Sequence, residues 1–215
     1  MPSKKKTENE TPSHGWDAIT AKFESIYPGQ TNPQHYGTLI SYQLGGDDPL
    51  DGVSVYDGGD FWHFVTYGFS ELYEKETDDP EWSGYGFELT LKLKKLPSII
   101  LSKKDDTEIK NVAGLLQSLA RYVFDSGNGF RPYEYIYTQQ QDGFDANKES
   151  KLTGFATLPD NAGTIETPNG KVEFICVIGM TDKELKSIYE KKHKTKEILE
   201  LLKSDLTDYS RNDVI

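Results

Sequence analysis

The strictest period-2 pattern in this sequence lies in residues 86–96. Its apolar positions are Phe87, Leu89, Leu91 and Leu93, and the polar residues between and after them are Glu88, Thr90, Lys92 and Lys94. Because successive side chains of a strand point to opposite faces, the pattern predicts a β-strand with one buried face and one face in water. The fold must therefore contain a sheet.

Other segments carry weaker patterns of the same kinds. Strands are predicted at residues 39–44, 53–56, 62–69, 133–137 and 171–179. The last of these is almost continuously apolar, so we expect it to be a central strand. Apolar residues at helical spacing predict helices after Ser13, over 111–124 and over 198–202. Thr181 and Glu184 have the spacing of a capping box, which opens one more helix.

The order of these elements indicates an α+β fold. We expect a single domain with a mixed or antiparallel sheet and packed helices. Residues 1–12 are rich in Lys, Glu, Thr and Pro, which is typical of a disordered tail. The folded domain is accordingly predicted over residues 13–210.

The net charge limits the classes of molecule that this protein is expected to bind. The chain has 24 Lys and Arg against 35 Asp and Glu, a formal net charge of −11. Such a charge repels phosphate backbones and anionic lipid headgroups, so we expect no nucleic acid and no membrane partner. Residues 7–12 are polar where the apolar part of a signal peptide would lie, and no stretch of about 18 apolar residues occurs. A cytoplasmic location is expected.

No local motif indicates catalysis, a metal or a cofactor. Cys176 stands alone in an apolar run, and no two of the four histidines have the spacing of a zinc-ligand pair. The acidic loops do not match a calcium-binding loop, and no nucleotide-binding glycine motif is present. The sequence therefore predicts a protein without cofactor, metal or catalytic residues. Two alternatives stay open: a hydrolase whose site assembles from His63, Asp60 and Glu88, and a structural oligomerisation unit.

An aromatic tract followed by carboxylates is the candidate binding surface. Its residues are Trp62, His63, Phe64, Tyr67, Glu74, Glu76, Asp78 and Asp79. Large aromatic side chains beside clustered negative charge suit a protein or peptide of basic or histidine-containing character. The alternative interpretation is that the aromatic residues belong to the core and the acidic residues to a solvated loop.

Several of these segments together resemble one known family. They are Gly-Gly-Asp-Asp-Pro-Leu-Asp-Gly-Val-Ser-Val-Tyr at 45–56, the tract 62–73, Gly-Tyr-Gly-Phe-Glu-Leu-Thr at 84–90, and the segments 116–124 and 167–174. In order and spacing they resemble the Suppressor of fused family, and the resemblance extends over about residues 14–210.

The resemblance implies a non-catalytic protein-binding module. Animal members are two-lobed cytoplasmic regulators that sequester transcription factors of the Hedgehog pathway, and they grip a Ser-Tyr-Gly-His peptide between the lobes, partly by strand addition. This chain resembles the N-terminal lobe, so the expected remnant of that clamp is a face around Phe64, Tyr67 and the loop 74–81. Single-lobe relatives are typically bacterial. For them the resemblance implies an immunity or regulatory protein that neutralises or sequesters a partner, such as a basic toxin.

Overall fold

A computed structural model describes residues 12–40, 42–95 and 101–215. The helices are α1 (His14–Ile26), α2 (Leu101–Ser126), α3 (Asp182–Tyr189) and α4 (Thr195–Leu202), with a short 3-10 helix at Tyr42–Leu44. The strands are β1 (Gln34–Gly37), β2 (Gly52–Asp57), β3 (Phe61–Tyr67), β4 (Trp82–Lys94), β5 (Tyr135–Ile136), β6 (Leu152–Thr167), β7 (Gly170–Thr181) and β8 (Leu206–Thr207). The predicted α+β fold is confirmed.

The eight strands of the described residues belong to one mixed sheet. Its order is β1-β2-β3-β4-β7-β6-β5, and β8 pairs with β4 beside this path. Neighbours on each side of the centre are antiparallel, whereas β4 pairs with β7 in parallel. The strand predicted at residues 171–179 is therefore central, as expected. Strand β8 runs parallel to the far end of β4, where Leu93 lies opposite Thr207.

Helices cover both faces of the sheet. On one face α2 packs Val112 and Leu116 against Leu89 and Leu91 of β4. On the other face α1 packs Phe23 onto the strands, while α3 and α4 cover the end of β7. The capping box that opens α3 is confirmed, since the side chains of Thr181 and Glu184 each accept the other's backbone N–H.

The prediction that one face of β4 is exposed to water is wrong, because α1 and the chain around residues 160 and 205 cover that face. Glu88 and Thr90 are fully buried and Lys92 is 6% exposed. Each has polar partners on that face: Thr90 donates to Asp160 at 2.9 Å, and Lys92 donates to Asp205 at 2.5 Å. Alternation revealed the strand, but it did not reveal that the polar side chains are paired inside the protein.

Other predicted elements also differ from the structure. Residues 39–44 form no strand: the 3-10 helix Tyr42–Leu44 occupies part of this segment, Ser41 lies outside the described residues, and Leu39 is fully exposed. Helix α2 begins ten residues before the predicted start. The sequence predicted neither β1 nor the long strand β6. Residues 1–11 of the predicted tail, and residue 96 of the predicted strand, are also outside the described residues.

Candidate functional site

A groove of about 650 Å³ opens where the chain leaves β3 and enters β4. Three exposed tyrosines line it: Tyr42 (43%), Tyr73 (43%) and Tyr85 (38%). Tyr42 and Tyr85 contact the ring of Phe124 at the end of α2, with ring centroids 5.5 and 5.1 Å away. Packing on Phe124 therefore holds Tyr42 and Tyr85 in place, and all three tyrosines offer apolar ring faces and polar hydroxyls to a ligand.

The floor of the groove is held by a buried carboxylate. Residues 68–70 line the groove, and Glu88 lies behind them without solvent exposure. Glu88 accepts hydrogen bonds from the backbone N–H groups of Gly68 (3.0 Å) and Ser70 (2.9 Å) and from the hydroxyls of Ser70 and Thr66 (both 2.6 Å). No cation of the described residues pairs with it, and burial raises the pKa of Glu88 to about 7.

The rim of the groove is the acidic loop, residues 71–81. Its first part is fixed to the body of the protein, since the carbonyl of Leu72 accepts from the N–H of Gly15 at 2.9 Å. A Cβ on Gly15 would collide with the backbone at Glu71, so only glycine permits this close approach. Asn169, in the turn between β6 and β7, donates to the carbonyls of Glu71 (2.8 Å) and Tyr73 (3.1 Å).

Apart from Glu81, which pairs with Lys171 at 2.9 Å, the carboxylates of the acidic loop fall into two groups. Glu71 folds the loop, because it accepts the N–H groups of Glu76 and Thr77, and Asp79 accepts those of Glu81 and Trp82. The second group, Glu74, Glu76 and Asp78, is exposed, and no ion-pair partner for it occurs among the described residues. These three charges are free to meet a partner.

Tyr73 joins the groove to a further carboxylate. Its hydroxyl donates to Asp51 at 2.7 Å. Desolvation and the charge of Asp51 raise the pKa of Tyr73 to about 12, so its hydroxyl remains a hydrogen-bond donor at neutral pH.

The two halves of the sequence-predicted surface do not lie together. Phe64 and Tyr67 are fully buried and His63 is 2% exposed. Trp62 is partly buried, with the ammonium of Lys95 3.9 Å from its ring centroid. A partner on the native surface would therefore not touch three of these four aromatic side chains. The acidic half, Glu74, Glu76, Asp78 and Asp79, is exposed beside the groove.

Strand β3 also lacks the free edge that strand addition requires. It pairs with β2 on one side, where Phe64 lies opposite Val55, and with β4 on the other. Both rows of its backbone groups face neighbouring strands, so a peptide could not add there without separating the sheet.

The alternative hydrolase site does not assemble. His63 lies opposite Lys92, four residues along β4 from Glu88, a displacement of about 13 Å at the usual rise of a strand. Asp60 is exposed in the turn between β2 and β3. These three side chains therefore share no common centre.

His63 belongs instead to a buried polar network under α1. Its Nδ1 accepts from the hydroxyl of Tyr27 at 2.7 Å, in the tautomer that leaves Nε2 protonated and 3.5 Å from Asp160. Asp160 also pairs with Lys92 at 3.2 Å. Burial lowers the pKa of His63, whereas His63 and Lys92 hold the pKa of Asp160 well below its usual range. The network neutralises buried charge between the sheet and α1.

The sequence pattern indicates the acidic loop but not the groove tyrosines. Tyr73 directly precedes Glu74, so its position in the acidic loop was the available signal. Tyr42 lies in the segment mistaken for a strand, and Tyr85 lies at the start of β4, before the regular alternation begins. Only the folded chain brings the three side chains to one groove.

The described residues contain neither a membrane-spanning helix nor a metal-binding cluster. No helix there is long and apolar enough to cross a bilayer. In the same residues, no group of three or more His, Cys, Asp or Glu side chains is arranged to hold a metal ion.

Comparisons with known proteins agree on one family. The family model for Suppressor of fused protein (SUFU) matches residues 46–212. The Suppressor of fused homologs of Homo sapiens and Mus musculus are each 33% identical over 206 residues, covering 88% of this chain and 40% of their own length. The chain thus spans about two fifths of these relatives.

Solved structures give the same result. The chain is similar to the crystal structure of a Sufu-Fu complex, with a TM-score of 0.81 and 30% identity, over 94% of this chain and 93% of that one. It is also similar to the crystal structure of Drosophila Suppressor of Fused, with a TM-score of 0.80 and 30% identity, over 96% of this chain and 52% of that one.

Proposed function

This chain belongs to the Suppressor of fused family, and we propose that it is a non-catalytic binding module that holds a segment of another polypeptide in the tyrosine-lined groove. The observation that carries the proposal is the groove itself. It combines three exposed tyrosines, Tyr42, Tyr73 and Tyr85, with the free carboxylates of the acidic loop. This combination of anchor residues and charge is typical of peptide recognition.

The chemistry of the groove defines the partner segment. The tyrosine rings take an apolar or aromatic side chain, and Glu74 and Glu76 at the rim favour a neighbouring cation. Exposed apolar side chains next to the groove, Leu39 (103% exposed), Ile40 (60%) and Leu44 (82%), extend the surface that a longer partner would cover. The partner segment is therefore amphipathic, with a basic or histidine residue near an aromatic one.

The finer role belongs to the same proposal. A Sufu-Fu complex among the similar structures supports a protein as partner, and a net charge of −11 supports a basic one. We propose that the chain acts in the cytoplasm as an immunity or regulatory protein of bacterial type, which sequesters or neutralises that partner, such as a basic toxin. Complementary charge would speed the encounter of the two proteins.

The groove is tested with a peptide that contains Ser-Tyr-Gly-His, the sequence implied by the family resemblance. Fluorescence anisotropy with the labelled peptide should show saturable binding, and a peptide of the same composition in permuted order should bind at least tenfold more weakly. Tyr73→Ala should weaken binding about 30-fold, which corresponds to the roughly 2 kcal/mol of a hot-spot residue.

The matched control is Tyr122→Ala. Tyr122 is 54% exposed on α2 and does not line the groove, so this variant should bind the peptide as the unaltered protein does. Equal losses for the two variants, or equal binding of the ordered and permuted peptides, would contradict the proposed function.

A further inference from the structure

Two peptide groups, 67–68 and 69–70, lie between the side chain of Glu88 and the groove. Each donates its N–H to the carboxyl group of Glu88, at 3.0 and 2.9 Å. Each carbonyl accepts the backbone N–H of a residue that lines the groove, Asp51 and Tyr85, both at 2.9 Å. Because hydrogen-bonded peptide groups polarise one another, a negative charge on Glu88 is transmitted toward the residues that line the groove.

The hydrogen bonds of Glu88 are compatible with both of its ionisation states. Oε1 accepts three donors, all from Gly68 and Ser70, whereas Oε2 lies 2.6 Å from the hydroxyl of Thr66. That hydroxyl also lies 3.2 Å from the carbonyl of Leu89. It can therefore donate to the ionised carboxylate, or accept the proton of the neutral acid and donate to Leu89 instead. The three donors on Oε1 stay in place in both states.

The helix and the strand that cover Glu88 do not supply a charge to compensate it. The residues of α1 that are buried against this side of the sheet are Gly15, Ile19 and Phe23, which have no ionisable side chains. On β7, Phe174 lies opposite Glu88. The negative charge of an ionised Glu88 thus remains unpaired inside the protein, where the dielectric response is weak.

The other ionisable groups near this carboxyl are neutral or already paired. On β3, burial raises the pKa of Tyr67, so its hydroxyl keeps its proton. Toward the far end of β4, Lys92 pairs with Asp160 at 3.2 Å. In the acidic loop, Glu71 pairs with Lys75 at 3.3 Å. None of these pairs neutralises the peptide groups under the groove.

Two histidines also lie on this side of the sheet. The ring of His35 lies 5.1 Å from that of Trp16, a residue that lines the groove, and His63 lies 3.5 Å from Asp160. Burial lowers the pKa of both histidines, so their neutral forms are favoured at pH 7. His35 is the one that a test of pH dependence must control, because it contacts the groove wall.

A cation in the groove would interact differently with the two states of Glu88. Burial raises the pKa of Glu88 to about 7, so both states are populated near neutral pH. A positive charge above the two peptide groups stabilises the ionised state and leaves the neutral acid unaffected. By linkage, a cationic ligand binds more tightly as the pH rises through 7, and its binding releases a proton to the solvent.

We propose that Glu88 makes the groove selective for a cationic side chain of the partner, and that this cation binds with loss of the Glu88 proton. The inference rests on the proposed function, since it concerns the same groove. The ammonium or guanidinium group would lie over residues 68–70, while an adjacent aromatic residue of the partner contacts the groove tyrosines. The charges at the rim attract a cation from a distance, and Glu88 favours the one that reaches the floor.

The probe is an acetylated and amidated peptide, Ser-Tyr-Gly-Lys, in which lysine replaces histidine so that the peptide does not titrate between about pH 6 and 8. Isothermal titration calorimetry should show an affinity that rises about fivefold from about pH 6 to 8, the ratio that follows when the ionised state binds about tenfold more tightly. Titrations in phosphate and Tris buffers, whose ionisation enthalpies differ, should report proton release. The same peptide with norleucine in place of lysine should bind equally at both pH values.

Glu88→Gln separates the charge from the hydrogen bonds, because its amide oxygen can accept the donors of Oε1 and its NH₂ can donate to Thr66. The variant should bind the lysine peptide about tenfold more weakly than the unaltered protein at pH 8 and within about twofold of it at pH 6. His35→Gln, the control, should keep the fivefold rise. Equal weakening of Glu88→Gln at both pH values, or loss of the rise in His35→Gln, would overturn the proposal.

The coupling can also be measured without a partner. Tyr85→Lys places an ammonium group at the groove wall and should lower the pKa of Glu88 by about 0.5 or more relative to Tyr85→Met. The pH dependence of the side-chain carboxyl ¹³C resonance gives this pKa, and Glu88→Gln assigns the resonance. Equal pKa values in the two variants would overturn the inference even if the peptide binds. Failure of the peptide to bind at any pH would contradict the proposed function, while the two Tyr85 variants still decide the coupling.

Discussion

Glu88 is a carboxyl group enclosed with neutral donors only, so its ionisation affects the stability of the fold. Burial raises its pKa from 4.5 to about 7, so between these values the folded state keeps a proton that the unfolded state has lost. The favourable contribution is complete below pH 4.5 and is lost as the pH rises through about 7. A shift of this size corresponds to about 3 kcal/mol.

Glu88→Gln should remove this pH dependence, because the amide keeps a hydrogen-bonding oxygen but cannot ionise. Urea unfolding at several pH values from 4.5 to 7.5 should show the unaltered protein losing stability relative to the variant by about 3 kcal/mol at most. Glu200→Gln, the same change at an exposed position, should leave the slope unaltered. Parallel pH profiles for Glu88→Gln and the unaltered protein would refute the assignment.

At the scale of elements, β4 organises both layers of the core. Leu91 is fully buried and belongs to the cluster that α2 covers. Leu91→Ala should therefore reduce the free energy of unfolding by about 2–5 kcal/mol, from lost burial and the cavity that remains. Chemical denaturation measures this directly, and a near-neutral effect would be inconsistent with a core position.

The acidic loop should increase the association rate of a basic partner. Replacing Glu74, Glu76, Asp78 and Asp79 by Ser should slow association of a Ser-Tyr-Gly-His peptide that has flanking lysines, at low salt, because steering depends on the charges of both molecules. Stopped-flow fluorescence at several salt concentrations gives the rate. An association rate and a salt dependence that are both unchanged would show that the acidic loop is solvated surface without a role in binding.

A triple variant provides the structural control for the acidic loop. Asp79 accepts the backbone N–H groups of Glu81 and Trp82, so its replacement also loosens the loop. Replacing only Glu74, Glu76 and Asp78 keeps these bonds while removing the free charges. If charge steers the peptide, the triple variant should retain most of the effect.

The local sequence pattern was sufficient to predict some helices and strands and insufficient to predict others. It identified β3, β4, β7 and α3, whose alternation, apolar run or capping residues are strong. Strand β6 was missed because its sequence, with Pro159 and Gly163, lacks regular alternation, and its pairing with β7 shifts register between Pro159 and Thr164. Residues 39–44 contain strand formers, yet Leu39 and Leu44 are exposed, so composition without alternation was misleading there.

At the scale of the whole molecule, the sequence does not show that helices cover both faces of the sheet. Without this information the candidate site could not be placed correctly. The sequence grouped Phe64 and Tyr67 with the acidic loop because they are near it in the chain. Helices on both faces bury them, Phe64 on the α2 side and Tyr67 on the α1 side. The groove tyrosines come from three separate segments, and such an arrangement has no signature in a local pattern.

The molecule as a whole carries its negative charge unevenly. The groove and its acidic loop extend the net charge of −11, whereas residues 182–203, which form α3, α4 and the turn between them, have seven lysines against five carboxylates.

The parallel pairing of β8 with the end of β4 also bears on how the chain is made. On the ribosome, residues 92 and 93 emerge more than a hundred residues before their partners, Leu206 and Thr207. At typical elongation rates of about 5–20 residues per second, that part of β4 waits for several seconds or more with one edge unpaired. The nascent chain thus passes through an interval in which the end of a core strand is open to chaperones or to other nascent chains, and the interval closes only when nearly all of this sequence has been synthesised.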